Sequence, residues 1–197
     1  ESDSAIFIIS RAGSENGDTD FSAAGHVDNN YMDLTNEETG ILDKLTEYKK
    51  AGKIDSIILV LNTCNAMQFK TIATYPIDSI LWVGTGGTSS YRALAEVIMG
   101  KADPSGRLAD TYVYDNYSAP STVNTGNFTY AKHNGVPATE TYAHNTKYVV
   151  YKEGIYVGYK YYETRYEDIA AGVDGAAGSA GVKNSKGEWK YSGAVSY

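Results

Sequence analysis

Arg11, Glu15, Asp18 and Asp20 fall close together in the run S-R-A-G-S-E-N-G-D-T-D, among small residues that let a chain turn tightly. The run directly follows Ala5 to Ile9, a short continuous apolar stretch. A carboxyl group serves as a general acid when it lies near the substrate and is partly withdrawn from water, so that its pKa rises towards neutrality. A loop leaving the end of a rigid strand provides that placement. The same residues also suit a solvated polar loop with an internal Arg–carboxylate pair. Residue types alone leave both readings open.

Other chemistries fit less well. The turn V-G-T-G-G-T-S-S leads into a helical pattern and invites a phosphate reading, because helix N-termini bind anions. The full G-x-G-x-x-G spacing is absent and no P-loop lysine follows, so the turn reads as structural, bringing backbone close to a neighbouring domain. The run Ala177-Gly-Ser-Ala-Gly181 begins with alanine and has no strand before it, which excludes a nucleophile elbow. Asp18, Asp20, His26 and Asp28 carry metal-binding donors but match no ligand spacing, so neither a metal nor a cofactor is expected. His133 and His144 read as solvated. The sequons at Asn116 and Asn127 matter only in a eukaryotic secretory setting. Cys64 is the single cysteine and reads as a buried structural thiol. The 18 tyrosines suit half-exposed strands before they suit sugar-stacking platforms.

The elements that must position these residues alternate between two periods. Ala5–Ile9, Ser56–Leu61 and Ser79–Val83 are uniformly apolar, as in strands buried on both faces. Thr35 and Glu38 form a T-x-x-E capping box. The helix after it places Ile41, Leu45 and Tyr48 on one face and stops at Gly52. A second helix starts near Thr88–Ser90, buries Tyr91, Leu94 and Ile98, and ends at Gly100. This alternation predicts an α/β fold: a three-layer α/β/α sandwich with a mostly parallel sheet of five or six strands. Its ligand crevice is expected beyond the carboxyl ends of the strands, after Ile9, Leu61 and Val83. Asp110–Tyr114 and Ile155–Tyr162 have strand-like composition. Long loops are expected near 115–150 and 170–188, within a single domain spanning 1–197.

The chain has 197 residues, 42% of them hydrophobic, which is enough for a sizeable core. The net charge is −7 and no basic run occurs, which argues against a nucleic-acid partner. No apolar stretch approaches the length of a membrane span. A strand opens almost at once without a signal-peptide pattern, and the last residues stop in mid-pattern, so the sequence reads as a segment of something longer. Location stays open between a secreted or cell-surface bacterial placement and a cytoplasmic one.

Taken in order, these landmarks resemble the second domain of glycoside hydrolase family 3, the β-glucosidase and β-xylosidase family. Ile9-Ser10-Arg11-Ala12-Gly13-Ser14-Glu15-Asn16-Gly17-Asp18-Thr19 matches the loop pattern I-S-R-x-S-G-E-G-x-D-R, with Asn16 and Thr19 as departures and the small pair inverted. Met32-Asp33-Leu34-Thr35-Asn36-Glu37-Glu38 follows L-x-L-T-x-x-E. Asn65-Ala66-Met67-Gln68 stands where the pattern has N-P-M-E. Ile80-Leu81-Trp82-Val83-Gly84 precedes the second helix, and Lys101 to Leu108 resembles N-P-S-G-R-L. Glu153 to Thr164, E-G-I-Y-V-G-Y-K-Y-Y-E-T, is the most specific piece.

The resemblance covers residues 3–165 and implies bacterial carbohydrate chemistry: the acid/base-bearing domain of a retaining β-glycoside hydrolase. It assigns the general acid/base role to Glu15, and to Arg11 and Asp18 a part in shaping or contacting the site. The nucleophile would be an aspartate on a catalytic barrel of the same polypeptide. The chain alone is then expected to be inactive. A non-catalytic carbohydrate-binding or scaffolding module of the same fold is the main rival, and an unrelated flavodoxin-like nucleotide or signalling domain a second.

Overall fold

Three apolar runs become three parallel strands. In the computed structural model, which describes residues 3–13, 23–124, 128–129, 132–133, 136–137, 147–148, 151, 153–173, 176, 181–183 and 189–191, they are β1 (Ser4–Arg11), β2 (Ser56–Thr63) and β3 (Ser79–Trp82). They pair in the order β1-β2-β3, with Ile9 beside Leu61, Arg11 beside Thr63 and Leu61 beside Trp82. Partners in register point to the same face, so Phe7, Ile9, Leu59 and Leu61 line one side of the sheet. There they meet Met32, Leu34, Leu42, Met67 and Ile72 in the core. The opposite face is less covered than uniformly apolar strands imply. Val60 is buried there, but Ile6 and Ile8 remain half exposed.

The first helix, α1 (Asn36–Lys50), starts at the expected capping box. The Thr35 hydroxyl accepts from the Glu38 amide at 3.1 Å, and the Glu38 carboxylate accepts from the Thr35 amide at 2.8 Å. Its inward face is rotated from the expected one. Leu42 is fully buried and Leu45 packs beside it, whereas Ile41 is 45% and Tyr48 37% exposed. The cap explains the rotation. Glu38 faces Arg11 at the end of β1, and Leu42 and Leu45 continue that side of the helix into the core. Tyr48 instead lies between the Lys44 and Lys53 ammonium groups, 5.3 and 5.2 Å from its ring centre. At the far end Lys49 donates to both Asp78 carboxylate oxygens at 2.6 Å, which ties α1 to the start of β3.

The second helix, α2 (Ser90–Ile98), has the expected limits, with Gly100 just beyond. Leu94 and Ile98 are half-buried, but Tyr91 is 51% exposed. Helical spacing identifies a face; it does not supply a partner for every residue on it. Asp110–Tyr114 is not a strand. Its Val113 carbonyl accepts from the Phe69 amide, and Tyr112 stacks on Phe69 at 5.4 Å.

These elements belong to a unit spanning Glu1–Tyr114, and a second unit spans Asp115–Tyr197. The second unit contains the short helix α3 (Pro120–Asn124) and short antiparallel pairs. Strand β4 (Phe128–Thr129) pairs with β7 (Lys147–Tyr148), and β5 (Lys132–His133) with β6 (Val136–Pro137). Its main helix is α4 (Tyr159–Ala171), followed by β8 (Gly181–Lys183) paired with β9 (Trp189–Tyr191). The strand expected over Ile155–Tyr162 is therefore replaced by a turn and the start of α4. Tyrosine favours strands, but here packing overrides propensity: Tyr161, Arg165 and Asp168 are buried at helical spacing. The parallel sheet has three strands among the described residues, not five or six. The architecture is α/β, with a parallel sheet and helices.

Leu42→Ala should lower the unfolding free energy of the chain by about 2–5 kcal/mol, the usual cost of truncating a fully buried leucine. Ile41→Ala should change it by no more than about 1 kcal/mol, as befits a half-exposed site. Urea melts of both variants read the difference. Equal losses would mean that α1 presents a different face to the sheet.

Candidate functional site

The carboxyl ends of the three strands converge on a small set of residues. Beyond β1 lies Gly13, beyond β2 lies Cys64, and beyond β3 lies Thr85. A Cβ on Gly13 would sit 3.0 Å from the Cys64 Cβ, so a side chain there would press the two segments slightly apart. The Cys64 thiol reaches the Thr85 hydroxyl at 2.6 Å. Cys64 is exposed rather than buried, because it stands one residue past the end of β2 at the sheet edge. The glycines of the following turn have a local cause as well. A Cβ on Gly86 would lie 2.6 Å from the Ser90 Cβ at the start of α2.

Arg11 is the last residue of β1, and its side chain turns into the protein. Its guanidinium presents five N–H groups, and all have acceptors. The Glu38 carboxylate takes two of them, at 2.7 Å from Nη1 and 2.5 Å from Nη2. The Ser10 carbonyl takes one at 3.0 Å, the Tyr31 carbonyl another at 3.0 Å, and the Asp33 carbonyl the last at 2.8 Å. Both partners are largely withdrawn from water, with side chains 5% and 15% exposed. The two parallel bonds to Glu38 give the planar fork that arginine forms best. Among the described residues its carboxylate partner is the capping glutamate of α1.

The acceptors lie on both sides of residues 14–22. Ser10 precedes them, while Tyr31 and Asp33 follow. Tyr31 adds a second link, donating its hydroxyl to the Ala12 carbonyl at 3.1 Å while its ring centre lies 5.9 Å from the guanidinium carbon. The returning segment is braced from below by a buried polar cluster. Asn30 donates to the Gln68 side-chain oxygen at 3.0 Å, and Gln68 donates back to the Asp33 carboxylate at 2.5 Å. Asp33 also accepts from Thr71 at 3.0 Å and from the Leu34 amide at 2.7 Å. Asn30, Asp33 and Gln68 are all buried. A glutamine suits this place because it donates to Asp33, where a glutamate would set two carboxylates against each other.

Of the residues singled out by sequence, Arg11 is thus at the carboxyl edge with its donors saturated. Glu15, Asp18 and Asp20 lie outside the described residues, as do Asn127, His144 and Ala177 to Ala180. Asp28 pairs with Lys70 at 2.9 Å, and no cluster of metal-ligating side chains occurs among the described residues. The residues that sequence reasoning missed are Glu38, Asn30, Asp33 and Gln68. Glu38 was visible as a cap but not as the partner of Arg11. The Asn30–Asp33–Gln68 cluster carries no periodic or motif signal.

The frame described so far is a parallel α/β sheet with Arg11 clamped at its carboxyl edge. The sequence matches the model of the Glycosyl hydrolase family 3 C-terminal domain over residues 1–159, and the chain belongs to that family. It is 29% identical over 167 residues to a Beta-glucosidase of Ruminococcus albus, covering 85% of this chain and 15% of that protein. It is 31% identical over 134 residues to Beta-glucosidase A of Butyrivibrio fibrisolvens, covering 66% of this chain and 13% of the relative. Thermostable beta-glucosidase B of Acetivibrio thermocellus is 26% identical over 138 residues. The chain therefore spans about one-seventh of the length of these curated relatives.

Gln68→Glu should destabilise the chain at neutral pH by roughly 1–3 kcal/mol, since it replaces a donor to Asp33 by a second carboxylate. Two such groups cannot both ionise, so one would have a folded-state pKa raised above its unfolded value. The penalty is then full above the raised pKa and relieved as pH falls through it. Urea melts at pH 7 and pH 5 should show the gap from the parent chain narrowing at the lower pH. A gap that widens would overturn the pairing.

Proposed function

We propose that this chain is the acid/base-bearing domain of a retaining β-glycoside hydrolase, with Glu15 as the proton donor and acceptor. Family membership and the relatives named as β-glucosidases support the reaction class. The observation that carries the reading is the clamp at Arg11. It fixes the segments before and after residues 14–22 at the carboxyl edge of a parallel sheet, where ligands of such sheets bind.

In this mechanism Glu15 protonates the glycosidic oxygen as the bond to the sugar breaks, while a carboxylate nucleophile captures the anomeric carbon. Glu15 then takes a proton from water as that water releases the sugar. The nucleophile would be an aspartate on a barrel domain of the same polypeptide, outside this chain, and the substrate a β-glycoside. Arg11 shapes the site and does not contact the sugar, because its five donors already have partners. Asp18 lies close enough in sequence to Glu15 to serve as a second site-shaping group. Residues 1–197 would together form one α/β sandwich domain in the parent enzyme.

The test is Glu15→Gln in the parent enzyme, assayed on aryl β-glycosides of graded leaving-group pKa. A large loss, on the order of 100-fold or more, is expected for poor leaving groups, and little loss for good ones that need no protonation. Unchanged rates on both would leave Glu15 a loop carboxylate and favour a non-catalytic carbohydrate-binding role for the domain. The isolated chain should not turn over any of these substrates, and Glu15-dependent hydrolysis by it would contradict a site completed by another domain.

A further inference from the structure

We infer that Trp82 is a sugar-stacking residue: its indole ring, held open at the carboxyl end of β3, takes the apolar face of a pyranose ring. The sugar as ligand rests on the proposed β-glycoside reading. The platform itself rests on described residues and involves none of residues 14–22.

The ring is fixed before any ligand arrives. Trp82 is the last residue of β3, and its Nε1 donates to the Thr63 carbonyl at 2.9 Å, so the indole lies towards the end of the neighbouring β2. A Cβ on Gly84 would lie 3.0 to 3.4 Å from three carbons of the benzene half, so the glycine leaves that half room against the backbone. Thr63 is itself immobile. It is fully buried, its hydroxyl donates to the Asn65 carbonyl at 2.9 Å, and its side chain is hydrogen-bonded with the Tyr112 hydroxyl. Burial, chiefly, pushes that hydroxyl above the ordinary phenol pKa, and the Tyr112 ring stacks on Phe69. Tyr112 is thus a buttress. Trp82, by contrast, is 42% exposed. A large apolar ring already locked in one orientation loses little freedom when a ligand settles on it.

The surroundings select the ligand class. The carboxyl ends of the three strands carry Ser10, Asn62, Cys64, Asn65 and Thr85, which are polar and uncharged. Arg11 is the cation of this edge, and its five donors are taken by Glu38 and three backbone carbonyls. Asp110, close enough to act on Tyr112, is an anion. A phosphate or carboxylate ligand therefore finds no open cation among these residues. A pyranose offers an apolar face for the ring and hydroxyls for the neutral groups around it. The edge is also where ligands of parallel sheets bind.

The test uses the parent enzyme and thiocellobiose, a two-ring β-glucoside whose sulfur bridge resists hydrolysis. N-Bromosuccinimide should oxidise Trp82 in the free enzyme, and saturating thiocellobiose should protect it, as read by peptide mass spectrometry. Trp82→Ala should weaken calorimetric binding of thiocellobiose roughly 3- to 10-fold, the scale of one aromatic contact. Trp82→Phe, which keeps a ring, should lose less. Trp82→Leu keeps apolar bulk without an aromatic face; it should bind as weakly as Trp82→Ala and replaces it if the alanine variant does not fold.

An unreactive Trp82 in the free parent would mean that another part of the protein covers it, and would overturn the inference. So would oxidation undiminished by thiocellobiose, or a folded Trp82→Ala that binds as tightly as the parent; either reduces Trp82 to a packing residue. A parent that neither binds thiocellobiose nor cleaves aryl β-glycosides would remove the glycoside reading and this inference with it. A parent that does so with Trp82 indifferent removes this inference alone.

Discussion

The bidentate pair between Arg11 and Glu38 is the contact on which the carboxyl edge of this domain depends. It joins the end of β1 to the head of α1, the first two elements of the parallel unit, at the point where the polar loop departs. Removing either partner would leave the other charged and nearly dry, a situation that typically costs about 3–5 kcal/mol. The pair is also fully satisfied: every guanidinium N–H has an acceptor, and one Glu38 oxygen serves the capping box as well. Such saturation makes the arrangement rigid and singular, because any other rotamer of Arg11 would strand several donors at once.

Below this pair, the Asn30–Gln68–Asp33 cluster supports the returning segment, and the apolar core supports both. The order of dependence is clear from burial. Leu42, Leu59 and Leu61 fix α1 against the sheet; α1 fixes Glu38; Glu38 fixes Arg11; and Arg11 fixes the chain on both sides of residues 14–22. The carboxyl edge is several steps removed from the core that sustains it: packing holds α1, and hydrogen bonds carry that hold to Arg11.

Much of this was legible in the sequence, though in separate pieces. Continuous apolar runs identified β1, β2 and β3, although the face that carries Ile6 and Ile8 is half exposed in the described residues. T-x-x-E identified the start of α1 to the residue. The loop motif identified Arg11. What one dimension could not reveal is that the carboxylate paired with Arg11 and the helix cap are the same group, that of Glu38. Periodicity placed Leu45 inward but set Ile41 and Tyr48 beside it in place of Leu42, because it weighs hydrophobic residues and ignores that Glu38 has its own reason to face inward. Tyrosine-rich composition concealed α4, whose buried face is Tyr161, Arg165 and Asp168 and so is not apolar throughout. Cys64 was misjudged for a related reason: residue type favours burial, but its place just past a strand end decides otherwise.

The attachment points of the loop all lie outside it, and this has an evolutionary meaning. Ser10, Ala12 and Asp33 contribute backbone carbonyls to the clamp, and Tyr31 alone adds a side chain, its hydroxyl, to its own carbonyl. Between those points the sequence is free to drift without disturbing the frame. Asn16 and Thr19, which depart from the family pattern, fall within that interval. A lineage could therefore change this interval one residue at a time while inheriting an unaltered mount. The side chains that hold the mount are those of Arg11, Glu38 and Tyr31, and Cys64 favours a small residue at 13.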